Sequence, residues 1–331
     1  MNSKQSPELM GSDRSAWPSQ VEDLAYSSSA DHTLQPALAF TAKTDEQRPL
    51  LVALHTWSGD YTQAGGETVY ADWCIQNSWH FIHPNFRGPN WTPQALGSDF
   101  VVEDISSAVE HMKKICKVDP DRIYLVGVSG GGHASLLMAG RRPEIWAGVS
   151  AWCGISSIKE WYEQTKAAKR DYYEHIETAC GGNPSVNPEA ARACELRSPA
   201  FCLKNARGVN LDINAGVEDG RTGSVPFSQS LYAFNEVVPA SDRIAPATIE
   251  SFYEKPDAFA QEIDDPVYGA HTPLFRKTSG NARVTVFKGG HEIVQMAALN
   301  WLARQRKSQP ATWAIPDPVF LGSAGNTEAG K

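Results

Sequence analysis

The segment DPDRIYLVGVSGGGHASLLMAGRRPE, residues 119–144, constrains this chain more than any other. An apolar run, RIYLVGV, leads into a glycine-rich turn and then into the helix-forming HASLLMA. The order is buried strand, sharp turn, helix. Inside the turn, Gly127-Val128-Ser129-Gly130-Gly131 fits the pattern G-x-S-x-G. Such a turn holds its serine in strained backbone geometry, and glycines let strand and helix approach closely. The helix N-terminus then favours negative charge developing beside the serine.

The rest of the chain repeats the rhythm. PLLVALH (49–55), WHFIHP (79–84), WAGVSAW (146–152), GVNLDINAG (208–216) and ARVTVFKGG (282–290) read as strands. ETVYADWCIQNS (67–78) has helical spacing. From 97 to 117, Val101, Val102, Ile105, Val109, Met112 and Cys116 fall on one helical stripe, with Ser98 or Asp99 as its cap. A last helix is expected over about 291–306. Strands alternating with helices predict an α/β domain with a mainly parallel central sheet flanked by helices. The site belongs at the carboxyl ends of the strands. Residues 1–45 read as a tail leading into an edge strand, 46–306 as the catalytic domain, and 307–331 as a second tail, mobile at its Gly/Ala-rich end. Two stretches, about 156–205 and 240–280, break the rhythm and are expected to form a partial lid.

A serine hydroxyl needs a base. In this strand–turn–helix setting the expected chain order is serine, acid, histidine. His291 follows the last strand, in GGHE. His175 and His271 lie in the insertions, and His111 lies within a helix. His133, one turn beyond Ser129, packs there or lines the site. The acid belongs after GVNLDINAG, which selects Asp219, with Glu218 adjacent, Asp242 an outside candidate and Asp212 within the strand. Its role is to fix the imidazole tautomer. An oxyanion hole requires two backbone N–H groups: Gly130, and a residue of His55-Thr56-Trp57-Ser58-Gly59, Trp57 before Thr56.

VDPDRIYLVGVSGGG, DGRTGSVPFSQS and VTVFKGGHE together resemble the catalytic domain of the prolyl-oligopeptidase-like branch of the α/β-hydrolases, over about 45–306. That branch includes dipeptidyl peptidases and single-domain acetylxylan and feruloyl esterases. The resemblance implies an α/β-hydrolase fold, a triad of Ser129, Asp219 and His291, and oxyanion donors at Gly130 and the HTWSG loop. The peptidases usually carry an N-terminal β-propeller, for which residues 1–45 are too few. Esterase chemistry is therefore expected ahead of peptidase chemistry.

The 331 residues include ten tryptophans. Aromatic faces suit sugar rings and aromatic acyl groups. Trp57 and Trp152, both just after core strands, are expected near the substrate; Trp79, Trp91 and Trp161 also fall near strand ends. Arg87 in FRGPNW either orients substrate or is structural. An acylated carbohydrate or related small ester is the expected substrate. A peptidase would need a site for a free amino terminus, for which Glu160, Glu163 and Asp171 are candidates. A non-catalytic binding protein is disfavoured, since every triad position is filled.

The net charge of −8, with no clustered Lys and Arg, argues against nucleic acid and anionic membrane as partners. No apolar run reaches membrane-spanning length. The first twenty residues hold no apolar h-region, so a signal peptide is either absent or already removed, and the compartment is cytoplasmic or secreted. Cys180, Cys194 and Cys202 are close enough in sequence for one disulfide, the alternative being free buried thiols. No cofactor or metal is expected, since no Cys/His group has structural zinc spacing.

Overall fold

The computed structural model describes residues 15–321. Its frame is a nine-stranded sheet whose middle is parallel and whose two ends are antiparallel. The chain enters through β1 (Glu22–Ser27) and β2 (Leu34–Phe40), an antiparallel pair. It continues through β3 (Arg48–Leu54), α1 (Glu67–Gln76), β4 (His80–Pro84), α2 (Asp99–Ile115), β5 (Val118–Val128) and α3 (Gly130–Arg141). After β6 (Gly148–Trp152) come three short helices, α4 (Ile158–Ala167), α5 (Tyr172–Cys180) and α6 (Pro188–Leu196). The chain then completes the sheet with β7 (Leu211–Gly216), α7 (Ser228–Val237), α8 (Pro246–Glu254), β8 (Pro273–Ser279), β9 (Ala282–Phe287) and α9 (Gln295–Leu302). Spatially the strands run β1-β2-β4-β3-β5-β6-β7-β9-β8. The six from β4 to β9 are mutually parallel.

The central strands are buried on both faces, so they read as continuous apolar runs. Period-two alternation still divides them. Leu50, Val52 and Leu54 of β3, with Ile123 and Leu125 of β5, pack against α2, α3 and α7. Leu51 and Ala53, with Tyr124, Val126 and Val128, pack on the other face against α1 and α9. The N-cap of α2 is Ser98, whose hydroxyl accepts from Val101 N–H at 3.5 Å. A third apolar cluster lies over the carboxyl ends of the strands. It is built from Trp57, Leu96, Ile158, Trp161, Tyr162 and Ile176, so α4–α6 form a cap with a core of its own.

Four sequence expectations need correction. The stretch before residue 45 supplies two sheet strands, not one edge strand. The stretch 240–280 contributes α8, packed beside α7 through Ile249 and Phe252, and the edge strand β8. Of the two insertions, 156–205 forms the cap. His291 does not open the last helix, because residues 291–294 form a loop before Gln295. In that loop Gly290 N–H donates to Glu292 Oε1 at 2.9 Å, a side-chain bond in place of helical ones. The C-terminal segment 307–321 folds back on α9: Trp313 stacks on Trp301 at 5.6 Å, and Val319 N–H donates to Asn300 Oδ1 at 2.6 Å. Residues 322–331, expected to be mobile, lie outside the described residues. All six cysteines are free, and Cys180 and Cys194 meet as thiols between α5 and α6. Among the described residues, no helix is long and apolar enough to cross a membrane.

Candidate active site

Ser129 stands between β5 and α3 with φ 60° and ψ −119°, a left-handed conformation costly to a residue with a Cβ. Its backbone is held from both sides. Ser129 N–H donates to Trp152 O at 2.9 Å, and its carbonyl accepts from His133 N–H at 2.8 Å. The Ser129 hydroxyl makes no side-chain hydrogen bond among the described residues, and the residue lines an open cleft of about 610 Å³.

His291 lines the same cleft. Its Nδ1 lies 2.7 Å from Asp219 Oδ2, and Asp219 is fully buried. The other carboxylate oxygen accepts from Gly220 N–H at 2.9 Å and Val225 N–H at 3.1 Å. With Asp219 accepting at Nδ1–H, the neutral imidazole presents an unprotonated Nε2. That nitrogen now faces Ser224 Oγ at 3.4 Å. Ser224 is a neighbour the sequence did not suggest, although it lies in the quoted DGRTGSVPFSQS. The other acids are elsewhere: Glu218 is exposed, Asp212 pairs with Arg283 at 2.8 Å, and Asp242 bonds Ser279 on the surface.

The fold brings Gly130 and Trp57 together. A Cβ built on Gly130 would stand 2.5 Å from Trp57 N, so only glycine permits this approach of the two loops. Neither the Gly130 N–H nor the Trp57 N–H has a partner among the described residues. Thr56 is different: its N–H donates to Gln63 Oε1 at 3.1 Å. Of these two candidates, Trp57 therefore carries the free amide. Its ring is buried under the cap, edge-on to Trp161 at 4.8 Å, with Nε1 donating to His175 Nδ1 at 3.1 Å.

Three expected substrate contacts fall outside the cleft. Trp152 is fully buried against Tyr268 and Phe287, with Nε1 donating to Ser150 Oγ at 2.8 Å, because its alternation places it on the α9 face. Arg87 is structural. It pairs with Asp104 at 2.6 Å and Asp31 at 2.8 Å, and both contacts raise its pKa against the effect of burial. His133 is fully buried, with Nε2 on Arg197 O at 2.9 Å, and burial lowers its pKa to about 4. Glu160, Glu163 and Asp171 are exposed and also lie outside the cleft. The acids that do line it are Glu67 and Glu292, and no Lys or Arg does. Burial raises the pKa of Glu67.

Cys153, at φ 48°, lies beneath the Asp219–His291 pair, with Sγ 3.4 Å from Glu292 O. The ligand atoms of Cys153, Asp219 and His291 fall within 4.8 Å of one another, the one grouping of potential metal ligands found among the described residues.

Residues 86–244 match the sequence profile of the prolyl oligopeptidase family. No curated protein sequence matches significantly. Among solved structures, the chain is similar to an acylaminoacyl peptidase from Pyrococcus horikoshii (TM-score 0.51, 17% identity, 66% of this chain and 34% of that one). It is also similar to a puromycin-hydrolyzing peptidase from Mycobacterium tuberculosis (0.56, 16%, 86% and 39%). A third is prolyl oligopeptidase B from Galerina marginata (0.52, 14%, 72% and 35%). The chain thus spans between 34% and 39% of the length of these proteins. The profile takes in Ser129 and Asp219 and covers just under half of the chain, and the sheet that carries them has the α/β-hydrolase fold: over that stretch the chain is similar to the prolyl oligopeptidase family.

Proposed function

We propose that the protein hydrolyses carboxylic esters through an acyl-enzyme on Ser129, acting on an acylated carbohydrate or a related small ester. One observation carries the mechanism: the bonded Asp219–His291 pair shares a cleft with Ser129, and two unpartnered amides converge beside it. His291 Nε2 turns from Ser224 to Ser129 once substrate is bound; such bonds are often loose in the free enzyme. It takes the proton as Ser129 Oγ attacks the acyl carbon. Asp219 stabilises the imidazolium. The amides of Gly130 and Trp57 receive the oxyanion. Collapse breaks the bond to the alcohol, which leaves with the proton from His291. A water, deprotonated by His291, then releases the acid and restores Ser129.

The cleft wall supports a polyhydroxylated partner. Tyr172 offers an aromatic face, and Gln295 and Glu292 supply acceptors for hydroxyls. The peptidase reading has support of its own, from two carboxylates along a cleft lined by no Lys or Arg and from structural neighbours that are peptidases. A fluorophosphonate probe followed by p-nitrophenyl acetate, acetylated xylan, feruloyl esters and aminoacyl anilides separates the readings, with Ser129→Ala as control. Labelling of Ser129 with ester turnover ahead of anilide turnover is expected. Faster anilide cleavage transfers the assignment to a peptidase, and an unlabelled Ser129 ends the hydrolase reading.

A further inference from the structure

The loop between β3 and α1 presents two consecutive amides, Thr56 and Trp57, and only the second is free for a substrate. What engages the first is a side chain from the same loop. Gln63 Oε1 accepts from Thr56 N–H at 3.1 Å and from Thr56 Oγ1 at 2.9 Å. Its amide cannot be reversed, since Thr56 N–H is a donor and requires the oxygen. The nitrogen end must then find an acceptor, and Gln63 Nε2 donates to Glu67 Oε1 in the first turn of α1. A Cβ at Gly59 would lie 1.9 Å from Gln63 Oε1, so the loop leaves space for this amide only by having glycine there.

Glu67 is an expensive residue to keep in this place. It is 3% exposed, and its Oε2 is buried with no hydrogen-bond partner. A buried carboxyl with one unsatisfied oxygen is retained against a desolvation penalty. No Lys or Arg lines the cleft to offset it. Its side-chain partner is the amide that grips Thr56.

We infer that Gln63 is a positioning residue of the oxyanion hole, held in its single useful orientation by Glu67. By occupying the Thr56 amide, Gln63 fixes the turn at which the next N–H, that of Trp57, faces the gap beside Gly130. The inference rests on the acyl-enzyme reading above and assigns Gln63 and Glu67 no contact with the reacting atoms.

The test uses Gln63→Ala, Gln63→Glu and the exchanged pair Q63E/E67Q, each with its melting temperature. Acylation is followed with p-nitrophenyl acetate, and affinity for the oxyanion with a trifluoromethyl ketone. A donor pointed wrongly costs part of the ~10²–10³ that a missing donor costs. Gln63→Ala should therefore lower kcat by about tenfold or more with KM little changed, and weaken the ketone by a similar factor. Gln63→Glu should do no better, because two carboxylates face each other and no donor reaches Glu67. The exchanged pair reverses the polarity: the new carboxylate accepts from Thr56 and from the new amide. It should recover most of the wild-type rate. Unchanged kcat in Gln63→Ala, a change confined to KM, or an exchanged pair that folds yet stays as slow as Gln63→Glu would each overturn the inference. Fluorophosphonate labelling of wild-type Ser129 is scored separately. Labelling with no effect at Gln63 removes only the positioning role, whereas no labelling removes the acyl-enzyme reading and this inference with it.

Discussion

At the scale of single residues, the site depends on close approaches that side chains would block. Gly130 is the sharpest case, because its missing Cβ is what lets the Trp57 amide come alongside. Gly130→Ala should keep the fold and lower ester turnover by about 10²–10³, as for loss of one oxyanion donor, measured as kcat on p-nitrophenyl acetate. Full activity in that variant would show that the two amides do not act together. Ser129, Asp219 and His291 were legible in the sequence because each follows a recognisable strand, and chain order selects among neighbours. Trp152, Arg87 and His133 were misplaced for a matching reason. Closeness to a strand end says that a residue is near the site plane, not which face its side chain takes. Trp152 pairs with Val128 in register, and both point to the α9 layer. Arg87 needed two acids far away in sequence, Asp31 and Asp104, before its structural role could be seen.

At the scale of elements, Arg87 is the tie between the β1–β2 connection and α2. It reaches Asp31 in that connection, and Asp104 on α2, whose side chain is fully buried and also accepts from Ser28 Oγ at 2.5 Å. Replacing Arg87 with Met strands the Asp104 carboxylate without a cation. Loss of about 3–5 kcal/mol is expected in urea unfolding, with little change in kcat at temperatures where the variant is folded. A loss confined to catalysis would return Arg87 to the substrate. The same region explains why the sheet was only partly legible. The parallel strands are buried on both faces and announce themselves as apolar runs. β1 carries Glu22, Asp23 and Ser27, and β8 carries Arg276, Lys277 and Ser279. Edge strands with one wet face offer no such run. The cap was recognised as an interruption, but its helices pack through long-range partners, such as Trp161 Nε1 donating to Ser224 O at 2.9 Å, that no local pattern encodes.

At the scale of the whole molecule, acid should unfold the protein through its buried imidazoles. Burial lowers the pKa of His133 to about 4 and that of His83 to about 3, both from 6.5. The unfolded chain takes up these protons near pH 6.5, and the folded chain does so only near 4 and 3. Stability is therefore full above about pH 6.5 and falls as pH drops through the interval below it. At 1.36 kcal/mol per pKa unit, His133 accounts for roughly 3 kcal/mol and His83 for roughly 5 kcal/mol across their intervals. Urea midpoints that stay level between pH 6.5 and 4 would contradict this. Trp57 lends its backbone amide to the turn at Ser129 and its ring to the cap. A gene library that randomises only 156–205, in search of new specificities, would also vary the angle of that amide. Selection on such a library would enrich caps for turnover as much as for fit, and grafted caps would transfer well only between scaffolds that share this tryptophan.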